Sequence, residues 1–354
     1  MGGSSPELNP QVAAAPPGQL AAVSGFITSG GPVREVRFTT DGGVHDLFTI
    51  KNLPGTIQAC NDDLKFSQPD FAGNASNLRF RIPTPTFGAG LIEAIEDATI
   101  IAYAAMTKPF GILGTVNRNG NDGTVTRFGW KAQNKSLVIF AGEAYNVEQG
   151  ITNELFPDER GEGGVPDPEA CRRVVPAPQD TVNFAQTQPQ MVIDDVSNFA
   201  DFMRFLAAPV PVPLYDGVSN AQIRSGDTAF TKAGCDVCHK RTMMTGNHAN
   251  AALRLKQVNL FSDLLVHDVG TGDGISQGAA NGFQFRTAPL WGVGQRLFFL
   301  HDGSALNIVD AINAHGGEAT RVINNFNNRS VGDDAKFNLS VTEQQNLVYF
   351  LRSL

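Results

Sequence analysis

The sequence predicts a mainly α protein of two domains, with long loops and small β-hairpins. Three observations carry that expectation. Apolar residues recur every three to four positions in several segments of helical length. The 354 residues exceed what a single hydrophobic core usually organises. A stiff Pro209-Val210-Pro211-Val212-Pro213 stretch divides the helical segments. With 37 Gly and 20 Pro and only 18% charged residues, much of the remaining chain reads as loop.

Residues 1–35 are rich in Gly, Ser, Pro and Ala without a sustained period and read as an irregular arm. From Val33 to Ile50, the positions Val36, Phe38, Val44 and Leu47 alternate around Asp41-Gly42-Gly43, which predicts a small hairpin. Leu91, Ile92, Ile95, Ile100 and Ala104 form a helical run within Phe87 to Met106. Strand candidates lie at Gly123 to Trp130, and a helix is expected over Leu137 to Val147. Pro157 to Pro189 is charged and Pro-rich without an apolar face and reads as a surface excursion.

Ile193, Val196, Phe199, Met203 and Leu206 mark a helix that stops at Ala208, because the residue before Pro209 is pushed out of the helical region. The expected domains are residues 1–208 and 216–354, joined by a linker over 209–215. In the second, Val218 to Ala233 reads as one helix, with Ile223, Gly226 and Phe230 on a common face and Gly234 at its end. Ser304 to Ala314 reads as another, closed by Gly316-Gly317 in the place of a C-terminal cap. Ser340-x-x-Glu343 is a capping box that opens the C-terminal helix, whose apolar stripe is Leu347, Leu351 and Leu354.

Charge and hydropathy narrow the function. The 27 Lys and Arg against 35 Asp and Glu give a net charge of −8, with no basic run to meet phosphates, so nucleic acid is not an expected partner. No stretch reaches the roughly 18 apolar residues of a membrane span. Met1 to Pro6 has neither the basic nor the apolar region of an export signal.

The chemistry concentrates in Cys235-Asp236-Val237-Cys238-His239, a C-x-x-C-H pentapeptide of the kind that attaches c-type haem. Two thiols can add across the haem vinyl groups while the adjacent His reaches the iron. A thioredoxin-like redox pair would follow a strand and open a helix, whereas here a helix leads into the motif. A zinc site would need a second ligand pair, and Cys60 and Cys171 are isolated; those two could pair or stay free.

For a sixth iron ligand the downstream candidates are Met243, Met244, His248, His267, His301 and His315. The two Met lie close behind Cys238, which hinders a reach to the opposite face of the haem. His315 follows Ile308 and Ile312 at spacings of 4 and 3 on one helical face, which aims an imidazole along an apolar stripe; the competing reading is a His that complements its helix dipole. His267 and His301 each precede an Asp and fit hydrogen-bonded turn residues as well as ligands. If His239 and His315 are axial partners, their coordinating nitrogens should lie about 4 Å apart, twice a metal–imidazole bond.

Several segments resemble one family: Phe285-Arg286-Thr287-Ala288-Pro289-Leu290-Trp291-Gly292, Leu300-His301-Asp302-Gly303, Asp310-Ala311-Ile312 through His315-Gly316-Gly317-Glu318-Ala319, and Leu264 to Gly270. In the first half, Arg81 to Ile95 and Arg127-Phe128-Gly129-Trp130-Lys131-Ala132 are similar to it too. The family is that of the di-haem thiol oxidoreductases, relatives of the bacterial di-haem cytochrome c peroxidases. The resemblance implies two cytochrome c-like domains, the N-terminal one incomplete, with one haem c covalently bound in the C-terminal domain. Family members carry a further C-x-x-C-H before a stretch resembling Gly2-Gly3-Ser4-Ser5-Pro6, so a second haem is expected in the full-length relative.

At the position of His315 the peroxidases usually have Met, so the resemblance implies bis-His ligation by His239 and His315. Glu148 resembles the carboxylate that assists O–O cleavage, and Trp130 resembles the tryptophan between the two haems. A Ca2+ site occurs in the peroxidase relatives, though no contiguous acidic loop singles out its ligands here. The implied function is periplasmic electron transfer, with a redox partner protein or a small-molecule oxidant such as peroxide. Peroxidase-like oxidoreductase activity is expected if the N-terminal haem segment is present in the native protein. The alternative is a non-catalytic mono-haem electron carrier.

Overall fold

Helices dominate the secondary structure and the sheets are small. The computed structural model describes residues 35–39, 44–45, 75–149, 151–157, 180, 194–212 and 217–354. The expected N-terminal arm, most of the Pro157 to Pro189 excursion, and Cys60 and Cys171 lie outside the described residues. In chain order the elements are β1 (Glu35–Phe38), β2 (Val44–His45), β3 (Leu78–Arg81), α1 (Ala89–Glu93), α2 (Asp97–Ala104), α3 (Leu137–Gln149), α4 (Asp195–Phe205) and α5 (Asn220–Ala233). Then follow β4 (Met243–Met244), β5 (Gln257–Val258), β6 (Val266–Asp268), β7 (Gln284–Arg286), α6 (Ile308–Asn313), α7 (Thr320–Phe326) and α8 (Val341–Ser353).

The chain divides into two units. The first takes residues 1–85, 138–202 and 301–304, the second residues 86–137, 203–300 and 305–354. This division differs from a boundary at Pro209, because residues 86–137 bond into the C-terminal half. The Tyr103 hydroxyl donates to the Val237 carbonyl at 2.7 Å, Thr115 and Val266 exchange backbone hydrogen bonds, and the Val212 N–H donates to the Ser353 carbonyl at 2.8 Å.

In the first unit the predicted hairpin forms, with Val36 opposite His45 and Arg37 opposite Val44. It gains a strand that the sequence does not mark: β3 pairs antiparallel with β1, Glu35 opposite Arg81 and Phe38 opposite Leu78. Helices α3 and α4 meet through Tyr145 and Phe199, whose ring centroids are 6.0 Å apart. The Asp180 carboxylate accepts from the Asp195 and Val196 N–H groups at 2.9 Å, capping α4 from a distant part of the chain.

The second unit is organised by α5 and α8, each opened by a capping box, at Ser219 with Gln222 and at Ser340 with Glu343. They approach so closely at Gly226 that a Cβ there would lie 1.9 Å from the Asn346 carbonyl oxygen. Phe230, Leu347, Phe350 and Leu351 fill the core beside this crossing. The run expected between Phe87 and Met106 is two helices, α1 and α2, broken at Ile95. There Ile95 is fully buried, and its carbonyl, with those of Ile92 and Glu93, accepts from the Arg127 guanidinium, which also pairs with Asp97. A buried arginine thus replaces helical hydrogen bonds.

Three further expectations change. Among the described residues Gly123 to Trp130 forms isolated bridges, Arg118 to Val125 and Phe128 to Asn134, rather than a strand, with Gly123 and Gly129 at φ 70° and 83°. Helix α6 starts later than Ser304, because Asn307 is its cap and accepts from the Asp310 N–H at 2.9 Å. Gly316-Gly317 does not cap it: α6 closes at Ala314, and the glycines pack against the chain after β6. A Cβ on Gly317 would lie 2.3 Å from the Asp268 carbonyl oxygen.

The α5–α8 crossing has no room for a methyl group, and the atom it would strike is backbone. Gly226→Ala should destabilise the fold by about 1–3 kcal/mol, the scale of overpacking. Thr228→Ala, on the exposed side of the same helix, should stay within about 0.5 kcal/mol. Denaturant unfolding of both variants is the check.

Candidate functional site

Helix α5 delivers the C-x-x-C-H motif. It ends on Gly234 in the left-handed region at φ 95°, and a Cβ there would lie 2.4 Å from the Phe110 ring, so the turn requires glycine twice over. A 3-10 turn over Cys235–Val237 follows, closed by the His239 N–H donating to the Cys235 carbonyl at 3.0 Å. Both cysteines are free thiols. Burial first, then the Asp236 carboxylate, pushes the Cys235 thiol up to about 12. Burial also pushes Cys238 up, against the opposing pull of His267. A redox or metal-thiolate pair needs lowered values, and these two thiols stay protonated near pH 7 instead.

His239 and His315 are held in the same manner by different elements. His239 Nδ1 lies 3.0 Å from the Phe261 carbonyl oxygen, and His315 Nδ1 lies 2.7 Å from the Ala311 carbonyl oxygen, one turn back on α6. A carbonyl can only accept, so each Nδ1 carries the proton and each Nε2 keeps its lone pair. That is the tautomer in which a metal-binding imidazole is fixed by its second nitrogen. The two rings are electrostatic neighbours; burial first, and then His315, lowers His239 to about 4. Burial lowers His315 as well, so both are neutral near pH 7. The surrounding wall is apolar: Phe230, Phe261, Phe299 and Ile308 are buried, with Leu290 and Ile312 packed against them.

His267 is excluded as a ligand by its own partners. Its Nε2 donates to Asp263 at 2.9 Å and its Nδ1 to Glu318 at 3.1 Å, which leaves no lone pair. Burial opposes its charge, but the hydrogen bonds to Asp263, Cys238 and Glu318 hold it up at about 12. Glu318 also accepts from the N–H groups of Leu113 at 2.8 Å, Gly114 at 3.0 Å and Asp268 at 3.3 Å. The atoms of Cys238, Asp263 and His267 lie within 4.8 Å of one another, yet the imidazole stands between its two carboxylates as a cation. His301 belongs to the first unit, and His248 Nδ1 accepts from the Asn250 N–H. The sequence reading does not single out Asp263 or Glu318; the cue was a Glu directly behind the Gly pair.

The two remaining candidates fall in different units. Trp130 is buried in the second, its carbonyl accepting from the Arg286 N–H at 2.7 Å. Glu148, near the end of α3, is in the first. Burial first, then the carboxylates of Glu35 and Glu143, raises its carboxyl from 4.5 to about 7, with Arg37 opposing. It is a carboxyl group that can hold or release a proton near neutral pH.

Two thiols on one turn, two neutral imidazoles with free Nε2 atoms and an apolar wall form a donor set that fits a haem. The class of molecule is therefore a haem-based redox protein. The comparisons name the family: the model described as "Di-haem oxidoreductase, putative peroxidase" matches residues 70–354, and the chain belongs to that family. Among solved structures, the chain is similar to hydrazine synthase of Kuenenia stuttgartiensis, pressurised with xenon, at 20% identity and TM-score 0.28. The likeness covers 45% of this chain and 55% of that one, so it spans little more than half of that relative's length. Comparison with curated proteins gives no match.

Two expected outcomes follow from the charges. Glu318→Ala leaves the His267 cation with Asp263 alone and strands the Leu113, Gly114 and Asp268 N–H groups, and should destabilise the protein by about 2 kcal/mol in denaturant unfolding, the scale for hydrogen bonds to a charged group. Glu148 binds its proton more tightly folded than unfolded, so its contribution worsens as pH rises from 4.5 to about 7. Glu148→Gln should match the parent's thermal midpoint at the acid end of that window and exceed it above pH 7, which parallel melting curves would show.

Proposed function

We propose that this chain is a c-type haem electron-transfer oxidoreductase. Cys235 and Cys238 would carry the thioether bonds, His239 the proximal iron bond and His315 the distal one. The observation that supports this best is the matched pair of Nδ1-to-carbonyl ties, which presents Nε2 from both histidines. The bound haem supplies a one-electron ferric–ferrous couple. The protein's part is to fix both imidazoles, keep them neutral and exclude water with the Phe230 and Phe261 rings.

On this reading the protein has two cytochrome c-like domains and works in the periplasm, where haem c is attached. It exchanges electrons with a redox partner protein, or with a second haem that meets peroxide. Glu148, poised near neutral pH, suits a proton carrier to a peroxide oxygen, and Trp130 suits an inter-haem position. The second reading, a mono-haem carrier without catalysis, is favoured by the presence of one C-x-x-C-H in the sequence. Peroxide separates the two: turnover of an added reductant supports the enzyme, and an unchanged spectrum supports the carrier.

The axial assignment is tested by His315→Met. Attachment depends on Cys235 and Cys238 and should persist, while a thioether at the iron raises the potential. Axial ligands span about 0.8 V across haem proteins, so a positive shift of roughly tenths of a volt is expected in a redox titration. An unchanged potential and spectrum would remove His315 from the site.

A further inference from the structure

The second unit contains two buried ways of treating a cation, and they differ. Lys131 is fully buried and completely answered. Its Nζ lies 3.2 Å from Asp273, donates to the carbonyls of Asn281 at 3.0 Å and Gln284 at 2.8 Å, and sits 4.0 Å from the centroid of the Phe285 ring. Arg286, the next residue after that ring, is not answered. It is 8% exposed, its Nε donates to the Gly129 carbonyl at 3.0 Å, and its Nη1 is buried without a hydrogen-bond partner. Among the described residues the charge acting on it is another cation, Arg296, and burial followed by that repulsion pushes it down to about 10. Arg296 is itself lowered by burial alone. No acidic group of the described residues contributes to either.

A buried guanidinium left with an unused fork and a like charge beside it is unfavourable unless an anion completes it. The two arginines bracket the segment that builds a wall of the apolar site. Thr287 and Leu290 donate to the Leu265 and Leu260 carbonyls at 2.9 and 3.1 Å. Leu290 and Val293 pack in the cluster that holds Phe261, Ile308, Ile312 and Cys235. The group that this site fits is an apolar plate with two carboxylates on its rim. We propose that Arg286 and Arg296 form a carboxylate-binding pair that holds the propionates of the haem. The assignment rests on the haem reading above. It adds the cations that answer the cofactor's own charge, with the planar guanidinium fork matched to a carboxylate.

Two readouts test it, both in the full chain. In the haem-loaded protein Arg286→Gln should keep the haem but lower its midpoint potential, because a positive charge that favoured the ferrous state is gone. Arg286→Lys keeps the charge and should recover most of the shift. Separately, with Cys235→Ala and Cys238→Ala making binding reversible, haemin should bind about tenfold more tightly than haemin dimethyl ester, the scale of one charge-assisted contact. Adding Arg286→Leu should bring that ratio close to one.

A potential unmoved by Arg286→Gln, or equal affinity for acid and ester with Arg286 present, overturns the proposal. So does stabilisation of the haem-loaded parent by added phosphate or acetate that disappears in Arg286→Gln, since the pair would then take a diffusible anion. If the unaltered chain takes up no haem and the Cys variant binds neither haemin nor its ester, the functional reading falls first and this assignment with it.

Discussion

The carboxylate of Glu318 is the joint on which the second unit depends. It gathers four donors from two parts of the chain: the Leu113 and Gly114 N–H groups, and the His267 ring with the neighbouring Asp268 N–H. Hydrogen bonds of this kind, with one partner ionised, are about twice as strong as neutral ones. Here they hold the carboxyl down at about 2 despite the opposing effect of burial. The geometry explains the glycines around it. Gly114 must be bare because a Cβ would strike the His267 ring at 2.4 Å, and Gly317 because a Cβ would strike the Asp268 carbonyl. His315 stands three residues before this joint, and Cys238 approaches the same nitrogen of the His267 ring that Glu318 holds, with Sγ 3.8 Å from Nδ1. The joint therefore ties the turn after α6 to the turn after α5.

What the sequence discloses and what it hides divide along contact range. The C-x-x-C-H motif, the capping box at Ser340 and the glycine at the end of α5 are local patterns, fixed by bonds within a few residues, and all were legible. So was the packing face of Ile223, Gly226 and Phe230, although not that Gly226 meets backbone. The break at Ile95 was not legible, because the arginine that satisfies its carbonyls lies more than thirty residues away in the chain. Nor was the third strand of the N-terminal sheet, which pairs across some forty residues. His267 was visible as a candidate but not as a fixed cation, since its charge comes from Glu318, 51 residues on.

The same distinction applies to Gly316-Gly317. In sequence, two glycines behind a helix read as a cap. In the structure, α6 needs no glycine because it closes at Ala314, and the Gly316 N–H donates to the Val269 carbonyl at 2.6 Å. Close approach of two backbones, not helix termination, is what excludes a side chain there.

Electron transfer asks little of a protein except that its ligands stay still. An imidazole that swings between oxidation states must reorganise its surroundings at every turnover. On the proposed reading each iron-facing histidine is locked by a hydrogen bond to backbone. One carbonyl comes from the loop at Phe261 and the other from within α6, so neither tie depends on a mobile side chain. Neutrality reinforces the lock. Burial keeps both rings uncharged, so the lone pair offered to iron on that reading would not compete with a proton near pH 7. The permanent charge is placed next door instead, on His267 between its two carboxylates, where it can hold the turns together without occupying the coordination site.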